Sequence, residues 1–370
     1  MPLRLSSRHI PLPGHSRQKL LRSYASQAPG SPLWEVFNRQ AKHIQKDRAA
    51  RNVDESRKVD YIKDEVAMRL CERLLTPSRP GRTGSALTME KDIKREFPDV
   101  LDLGANSCNI ARALTQPNPD PVAPTGSPPL SSRISKLTCL DTSPALLHRD
   151  ADHPFNDEMT IERRVVPDLE TLPYEANTFD AVMSSLSIHW VNNLPALLAQ
   201  VNQMLKPDCP FIAAIFGGDT LFELRTSLQL ADFERRGGVS PRVSPLADVR
   251  DVGGLLNKAG FKLLTVDVED IVVEFPDSFS LMQDLQAMGE NNAVLHRELG
   301  PLSRDVLLAN EAIYRQLHME EGMRGIPATF RMIYMIGWKE GKGQRQPLQR
   351  GSGETNLTDV LGDGEGKGNS

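Results

Sequence analysis

The segment "VLDLGANSCNIARAL", Val100 to Leu114, sets the architecture. Apolar residues run to Leu103, a single glycine follows at Gly104, and apolar residues return at helical spacing from Ile110. This predicts a strand ending near Asp102, a sharp turn, and a helix beginning near Ser107. Such a turn aims backbone N–H groups at whatever lies above the sheet. Glycine serves there by allowing positive φ and close approach of a ligand to the backbone. Only Gly104 remains, with Asn106 and Cys108 where a dinucleotide site carries two more glycines. Asn106 tolerates the left-handed region, so the turn survives, while Cys108 crowds the approach. A cofactor with no phosphate on the turn makes a lighter demand on the missing glycines. A strand-to-helix turn without a ligand is the alternative reading.

Outward from this turn, strand-like and helix-like segments alternate from Asp99 to Trp338, which predicts a doubly wound α/β sheet. "KLTCLD", "TIERRVV", "FDAVMSSLS" and "PFIAAIF" read as strands, with "SPALLHRD", "LPALLAQVNQMLKP" and "LADVRDVGGLLNKAG" as helices around them. "FKLLTVDVEDIVVEF" and "FRMIYMIGWK" are the last strands, separated by a helical insertion at 277–321 and expected to pair antiparallel at an edge. The core domain is expected over 96–340, preceded by a helical arm at 34–78. In that arm Trp34 to Arg57 is rich in charge and reads as a solvated helix or an arm on a partner. "DYIKDEVAMRLCERLL" has Asp60 as a cap and Ile62, Val66, Leu70 and Leu74 on one face. The Pro- and Ser-rich stretch 115–133 is expected to be a disordered loop, and 341–370 a mobile polar tail.

Composition narrows the function. Before Glu35 there is no acid, but there are Arg4, Arg8, Arg17, Lys19, Arg22 and six serines, the character of a mitochondrial transit peptide over 1–33. The whole chain carries a formal charge of −4, and without that leader it is more acidic still, a poor match for nucleic acid. No run of about 18 apolar residues exists to span a membrane. Cys71, Cys108, Cys139 and Cys209 lack metal or disulfide spacing and read as buried small hydrophobes.

Acids stand at successive strand tips. Asp102 ends the first strand. Asp141 ends the second and can accept two ribose hydroxyls, or cap the helix "SPALL". Asp168, after the third, can accept an adenine amino group. Beyond the fourth strand lie Ser184, Ser185 and His189, with Trp190 as a wall; His189 is either a base or a packed core residue. "HRDADH", with His148, Asp150 and His153, has the composition of a metal triad but reads as surface polarity, so no metal site is expected. "GGDTLFELRTSLQLADFERRGG" predicts a helix capped by Asp219, with Leu221, Leu224, Leu228 and Ala231 inward and Glu223 off that face. It is either a lid on the core or a lid that closes over a pocket with "SPRVSP".

The segment order, with "LPYEANTFDAVMSSLSIHWVNNLPALLAQVNQMLKPDCPF", resembles a class I S-adenosylmethionine-dependent methyltransferase over about Asp99 to Phe275. A narrower resemblance rests on "FGGDTLFELRTSLQLADFERRGGVSPRVSP", "DYIKDE", "SLSIHWVN", "LQAMGE" and "PATFRMIYMIGWK". These are similar to the mitochondrial complex I assembly factors of that superfamily, protein arginine hydroxylases and probable methyltransferases, from roughly Phe37 to Lys339. The bacterial malonyl-carrier-protein methyltransferases share the "HW…LP…LKP" region more distantly. The resemblance implies a Rossmann-like sheet, mostly parallel with an antiparallel edge strand. It also implies S-adenosylmethionine as cofactor, held by Asp102, Gly104, Asn106, Asp141, Asp168 and Ser184, with His189 as catalytic candidate. The implied partner is a matrix-arm subunit of complex I, met at the matrix face of the inner membrane without a transmembrane segment. Arginine hydroxylation and a catalytically silent assembly chaperone are the alternatives to methyl transfer. The departure from the family is the turn at Ala105, Asn106 and Cys108, which weighs on cofactor affinity rather than on fold. No set of residues in the sequence accounts for hydroxylation.

Overall fold

A computed structural model describes residues 35–75, 96–117 and 128–344, apart from 296, 299 and 323. The expected leader at 1–33, most of the loop at 115–133 and the tail beyond 344 lie outside the described residues. Three helices come first: α1 (Arg39–Arg51), α2 (Val53–Lys58) and α3 (Tyr61–Leu75). The sheet is then built from β1 (Asp99–Leu103), β2 (Lys136–Asp141), β3 (Ile161–Val165), β4 (Ala181–Ser185), β5 (Pro210–Phe216), β6 (Phe261–Phe275) and β7 (Ile326–Lys339). Between them run α4 (Asn109–Thr115), α5 (Pro144–Leu147), α6 (Phe155–Glu158), α7 (Leu194–Met204), α8 (Phe222–Arg236), α9 (Val249–Lys258), α10 (Ser278–Ala287) and α11 (Arg304–His318).

The seven strands stand in the order β3-β2-β1-β4-β5-β7-β6. The first five are parallel to their neighbours; β7 alone is reversed, antiparallel to both β5 and β6. This is the expected Rossmann-like, doubly wound sheet, mostly parallel with an antiparallel strand toward one edge. Strand β5, apolar at every position, is buried along its whole length, as a strand covered on both faces must be. One core layer packs α3 and α4 through Val66, Leu70 and Ile110. The opposite layer packs α7 and α9 through Leu197, Leu198 and Leu256. Because β2 and β4 flank β1 and the chain leaves on either side of it, the crevice opens above the ends of these strands.

Four expectations change. The N-terminal arm does not extend to a partner: Val36 and Phe37 donate to Asn192 Oδ1 at 2.9 and 2.8 Å, and α1 folds inward with Lys42, Lys46, Ala49 and Ala50 buried. Helix α8 is not capped by Asp219, which pairs with Arg331; Leu221, in the left-handed conformation, precedes it instead. Glu223, expected off the buried face, is buried and accepts from Thr329. At the end of the Pro-rich stretch, Leu130–Arg133 forms a 3-10 turn that buries Leu130 in the core.

Candidate functional site

The turn after β1 is held tightly. Gly104 has φ +74°, and a Cβ there would stand 2.1 Å from Ser187 Oγ, so glycine is required by both backbone and neighbour. Gly104 and Ala105 donate their N–H groups to Leu140 O at 2.7 and 2.9 Å, tying the turn to β2. Asn106 and Cys108 take φ of 51° and 60°, so Asn106 adopts the left-handed conformation expected of it. Asn106 Nδ2 donates to Ser185 O at 3.1 Å, bridging the tips of β1 and β4. Cys108 is buried beneath the turn rather than in the approach, its thiol 3.8 Å from Leu147 O.

Asp141 ends β2 and is fully buried, with every contact made by a donor. Asn106 N and Ser143 N each donate at 3.0 Å, and Lys46 Nζ, reaching in from α1, lies 2.9 and 3.2 Å from its two oxygens. Ser143 rather than Asp141 caps α5, through Leu146 N. Asp168 accepts from Glu170 N and Thr171 N at 2.9 and 3.0 Å, and its side chain is half-buried at the tip of β3.

Two expected cofactor ligands sit elsewhere. Ser184 Oγ donates to Leu103 O at 2.7 Å inside the sheet, because the pleat turns that residue toward β1. Asp102 is buried beneath the crevice with neither oxygen hydrogen-bonded; burial, then Cys108 and Asp141, pushes its carboxyl well above the usual range. His189, the expected base, packs between Trp190 and Phe216 with neither ring nitrogen hydrogen-bonded, and burial lowers its pKa although Glu290 Oε2, 3.7 Å from Nε2, opposes it. It lines neither of the cavities described next.

Helix α1 separates two cavities that share Trp190. One, about 520 Å³, lies over the tips of β2, β3 and β4 and is lined by Lys46, Thr142, Val166, Asp168, Leu169 and Ser187 among others. The other, about 590 Å³, lies between α1, α8 and the segment after α10. The wall between them is a buried charge cluster that the sequence reading missed. Glu290 Oε2 accepts from Trp190 Nε1 at 2.8 Å and lies 3.4 Å from Lys42 Nζ; Lys63 Nζ is 3.5 Å from Oε1. Lys42 also donates to Gly289 O at 2.7 Å and stands 3.3 Å over the Trp190 ring. Burial drives the Lys42 amine down to about 7 although Glu290 opposes it. Burial alone would raise Glu290, but Lys42 and Lys63 outweigh it and hold the carboxylate well below its ordinary value. The only sequence signal was a lysine pair, Lys42 and Lys46, at i,i+4 on a helix with hardly any apolar face.

Polar atoms without partners gather near the β1 and β4 tips: both Asp102 oxygens, Asn106 Oδ1 and Ser185 Oγ. Buried groups of this kind are ordinarily satisfied, so such a concentration fits a polar ligand. Among the described residues no group of three or more His, Cys, Asp or Glu side chains is placed to hold a metal ion. The "HRDADH" acid, Asp150, is instead paired with Arg57, Arg112 and Arg149 at 2.7, 3.2 and 2.6 Å.

Residues 125–213, spanning β2 to β5, match a family model described as a methyltransferase domain. The chain is 40% identical over 327 residues to the mitochondrial arginine-hydroxylase NDUFAF5 of Danio rerio, covering 88% of this chain and 89% of that one. The Homo sapiens protein of the same name is 40% identical over 344 residues, covering 93% and 88%. The chain belongs to the NDUFAF5 arginine-hydroxylase family. A malonyl-[acyl-carrier protein] O-methyltransferase of Halorhodospira halophila is 30% identical over 317 residues, covering 85% of this chain and 92% of its own. The NDUFAF5 similarity extends beyond the matched methyltransferase domain, over a length that must include most of the N-terminal helices or the insertion that frame the second cavity.

Proposed function

We propose that this chain is an S-adenosylmethionine-binding enzyme on the methyltransferase fold that modifies an arginine of a complex I matrix-arm subunit during assembly, in the mitochondrial matrix at the inner membrane's inner face. The observation that carries the reading is a cofactor-sized cavity over the β2, β3 and β4 tips meeting a second cavity at Trp190, in a chain 40% identical to mitochondrial arginine-hydroxylases. No helix among the described residues is long and apolar enough to cross a membrane.

S-adenosylmethionine, when bound, supplies an electrophilic sulfonium methyl and an amino-acid head group. On this reading Asp168 and Val166 flank the adenine and Asp141 receives the ribose, with Ser187 covering the turn at Gly104. Trp190 stands where the cofactor cavity and the acceptor cavity meet. The scaffold reading draws on one specific observation, the Lys46 ammonium seated on Asp141 where ribose hydroxyls would lie.

Calorimetry with S-adenosylmethionine tests cofactor binding; no heat at millimolar ligand removes it. Intact-mass analysis of the subunit after incubation with the chain separates the chemistries. A gain of one methylene marks methylation, a gain of one oxygen hydroxylation, and an unchanged mass leaves only the scaffold.

A further inference from the structure

The second cavity has a chemical asymmetry. Three residues that line it, Gln45, Glu290 and Asn291, each hold one buried side-chain oxygen without a hydrogen-bond partner, Oε1, Oε1 and Oδ1, the Glu290 oxygen having only the Lys63 ammonium 3.5 Å away. No buried nitrogen or hydroxyl among its described lining residues is left in that condition. Unpaired buried acceptors carry a standing desolvation cost, which a donor-rich ligand relieves. Around them the walls are apolar, with Phe216, Leu224, Leu285 and Met288.

We infer that this cavity is the recognition site for the substrate's arginine side chain, with Glu290, Asn291 and Gln45 as the residues that select its guanidinium. The inference rests on the arginine reading above and adds which residues read it. A guanidinium carries five N–H donors in a plane and accepts nothing, so it matches a site whose vacant positions are all acceptors. The apolar walls suit its methylene stem.

Glu290 remains ionised, and its Oε1 is the oxygen not engaged by Trp190. Lys42 and Lys63 are nearby cations, but Lys42 sheds its proton near neutrality. A guanidinium arriving at Glu290 therefore shares the carboxylate with Lys63, whose Nζ is 3.5 Å from Oε1. The other carboxylate of the cavity, Glu298, is already held by Arg236 and Arg242. At the lining, Arg48 and Arg297 have no carboxylate partner among the described residues, which favours acidic residues flanking the arginine.

Trp190 reports on the site, because its indole N–H is bonded to Glu290. The full chain, labelled with ¹⁵N-tryptophan and assigned with Trp190→Phe, is titrated with the capped peptide Asp-Gly-Arg-Gly-Asp and its citrulline counterpart, with and without S-adenosylhomocysteine. The Trp190 resonance is expected to move saturably with arginine and about tenfold more weakly with citrulline, the worth of a charged hydrogen bond. Asn291→Leu, which removes an unpartnered oxygen, is expected to weaken arginine about tenfold with an unchanged unfolding midpoint. Glu290→Gln is expected to abolish the preference for arginine over citrulline. A resonance that does not move in either condition, equal binding of the two peptides, or an unaffected Asn291→Leu variant overturns the inference. Adenosyl binding is measured separately by calorimetry: if it fails while arginine binds, the cofactor reading falls and this site stands.

Discussion

Asp141 shows how one carboxylate can be both the anchor of a ligand and the seat of a lysine. Its oxygens already accept from two backbone N–H groups and from Lys46 Nζ, so a ribose must share with or displace that ammonium. Lys46→Met is therefore expected to bind S-adenosylhomocysteine about tenfold more tightly in calorimetry, equivalent to about 1.4 kcal/mol. The same variant leaves a buried charge uncompensated and is expected to lose about 3 kcal/mol in urea unfolding. Weaker binding by the variant would instead make Lys46 a cofactor contact. Lys42 gives a second residue-scale outcome. Its amine falls from 10.5 to about 7 on folding, so between those values the unfolded chain holds more protons than the folded one. Stability attributable to Lys42 then rises with pH across that interval, by up to about 1.4 kcal/mol per pH unit. Denaturation of wild type and Lys42→Met over the interval should show this slope only in the wild type.

At the scale of elements, the turn between β1 and α4 combines two independent demands for glycine at residue 104. Gly104→Ala would strain a φ of +74° and drive its Cβ into Ser187 Oγ. The expected loss is about 2 to 3 kcal/mol in chemical denaturation. Adding Ser187→Gly should recover part of it, because this relieves the collision and not the backbone; no recovery would mean the φ alone sets the cost. The same turn marks the limit of what the sequence disclosed. Strand and helix periods were legible from Val100 to Lys339 because apolar residues carry them, and Ile62, Val66, Leu70 and Leu74 are buried together as their spacing predicts. Gly104, Asn106 and Asp141 fall at the strand tips the sequence marked, and Asp168 lines the cavity above them. Helix α1 was not legible as a buried element, since its inward face is lysine and alanine, and those lysines are buried only because carboxylates from distant segments meet them. Ser184 and Asp102 were misplaced for a related reason: residue type identified the strand tip, but not which face each side chain takes.

Across the whole molecule, a second charge network fastens the N-terminal helices to the sheet domain. Asp60, between α2 and α3, is paired with Arg149 and with Arg112, and Arg149 also holds Asp150, which Arg57 and Arg112 reach from the other side. Arg149 has no exposed side-chain surface, so its removal takes the most buried cation shared by Asp60 and Asp150 and leaves them the partly exposed Arg112 and Arg57. Burial by itself would raise both acids; Arg149 is the first of the groups that outweigh it and bring Asp60 and Asp150 below their ordinary 3.8. With folded values depressed, the stability they contribute is complete above 3.8 and is lost as pH falls through the folded values. Arg149→Met is expected to cost about 3 to 5 kcal/mol near neutral pH, the penalty of breaking a buried pair from one side. Because α1 follows the same N-terminal segment into the crevice, the damage should spread beyond the network: limited proteolysis should cut first between α1 and α3. Adding Asp60→Asn should restore part of the loss by removing one stranded charge. Cleavage confined to the sheet domain, or a double variant no more stable than Arg149→Met, would mean that packing rather than charge holds these helices in place.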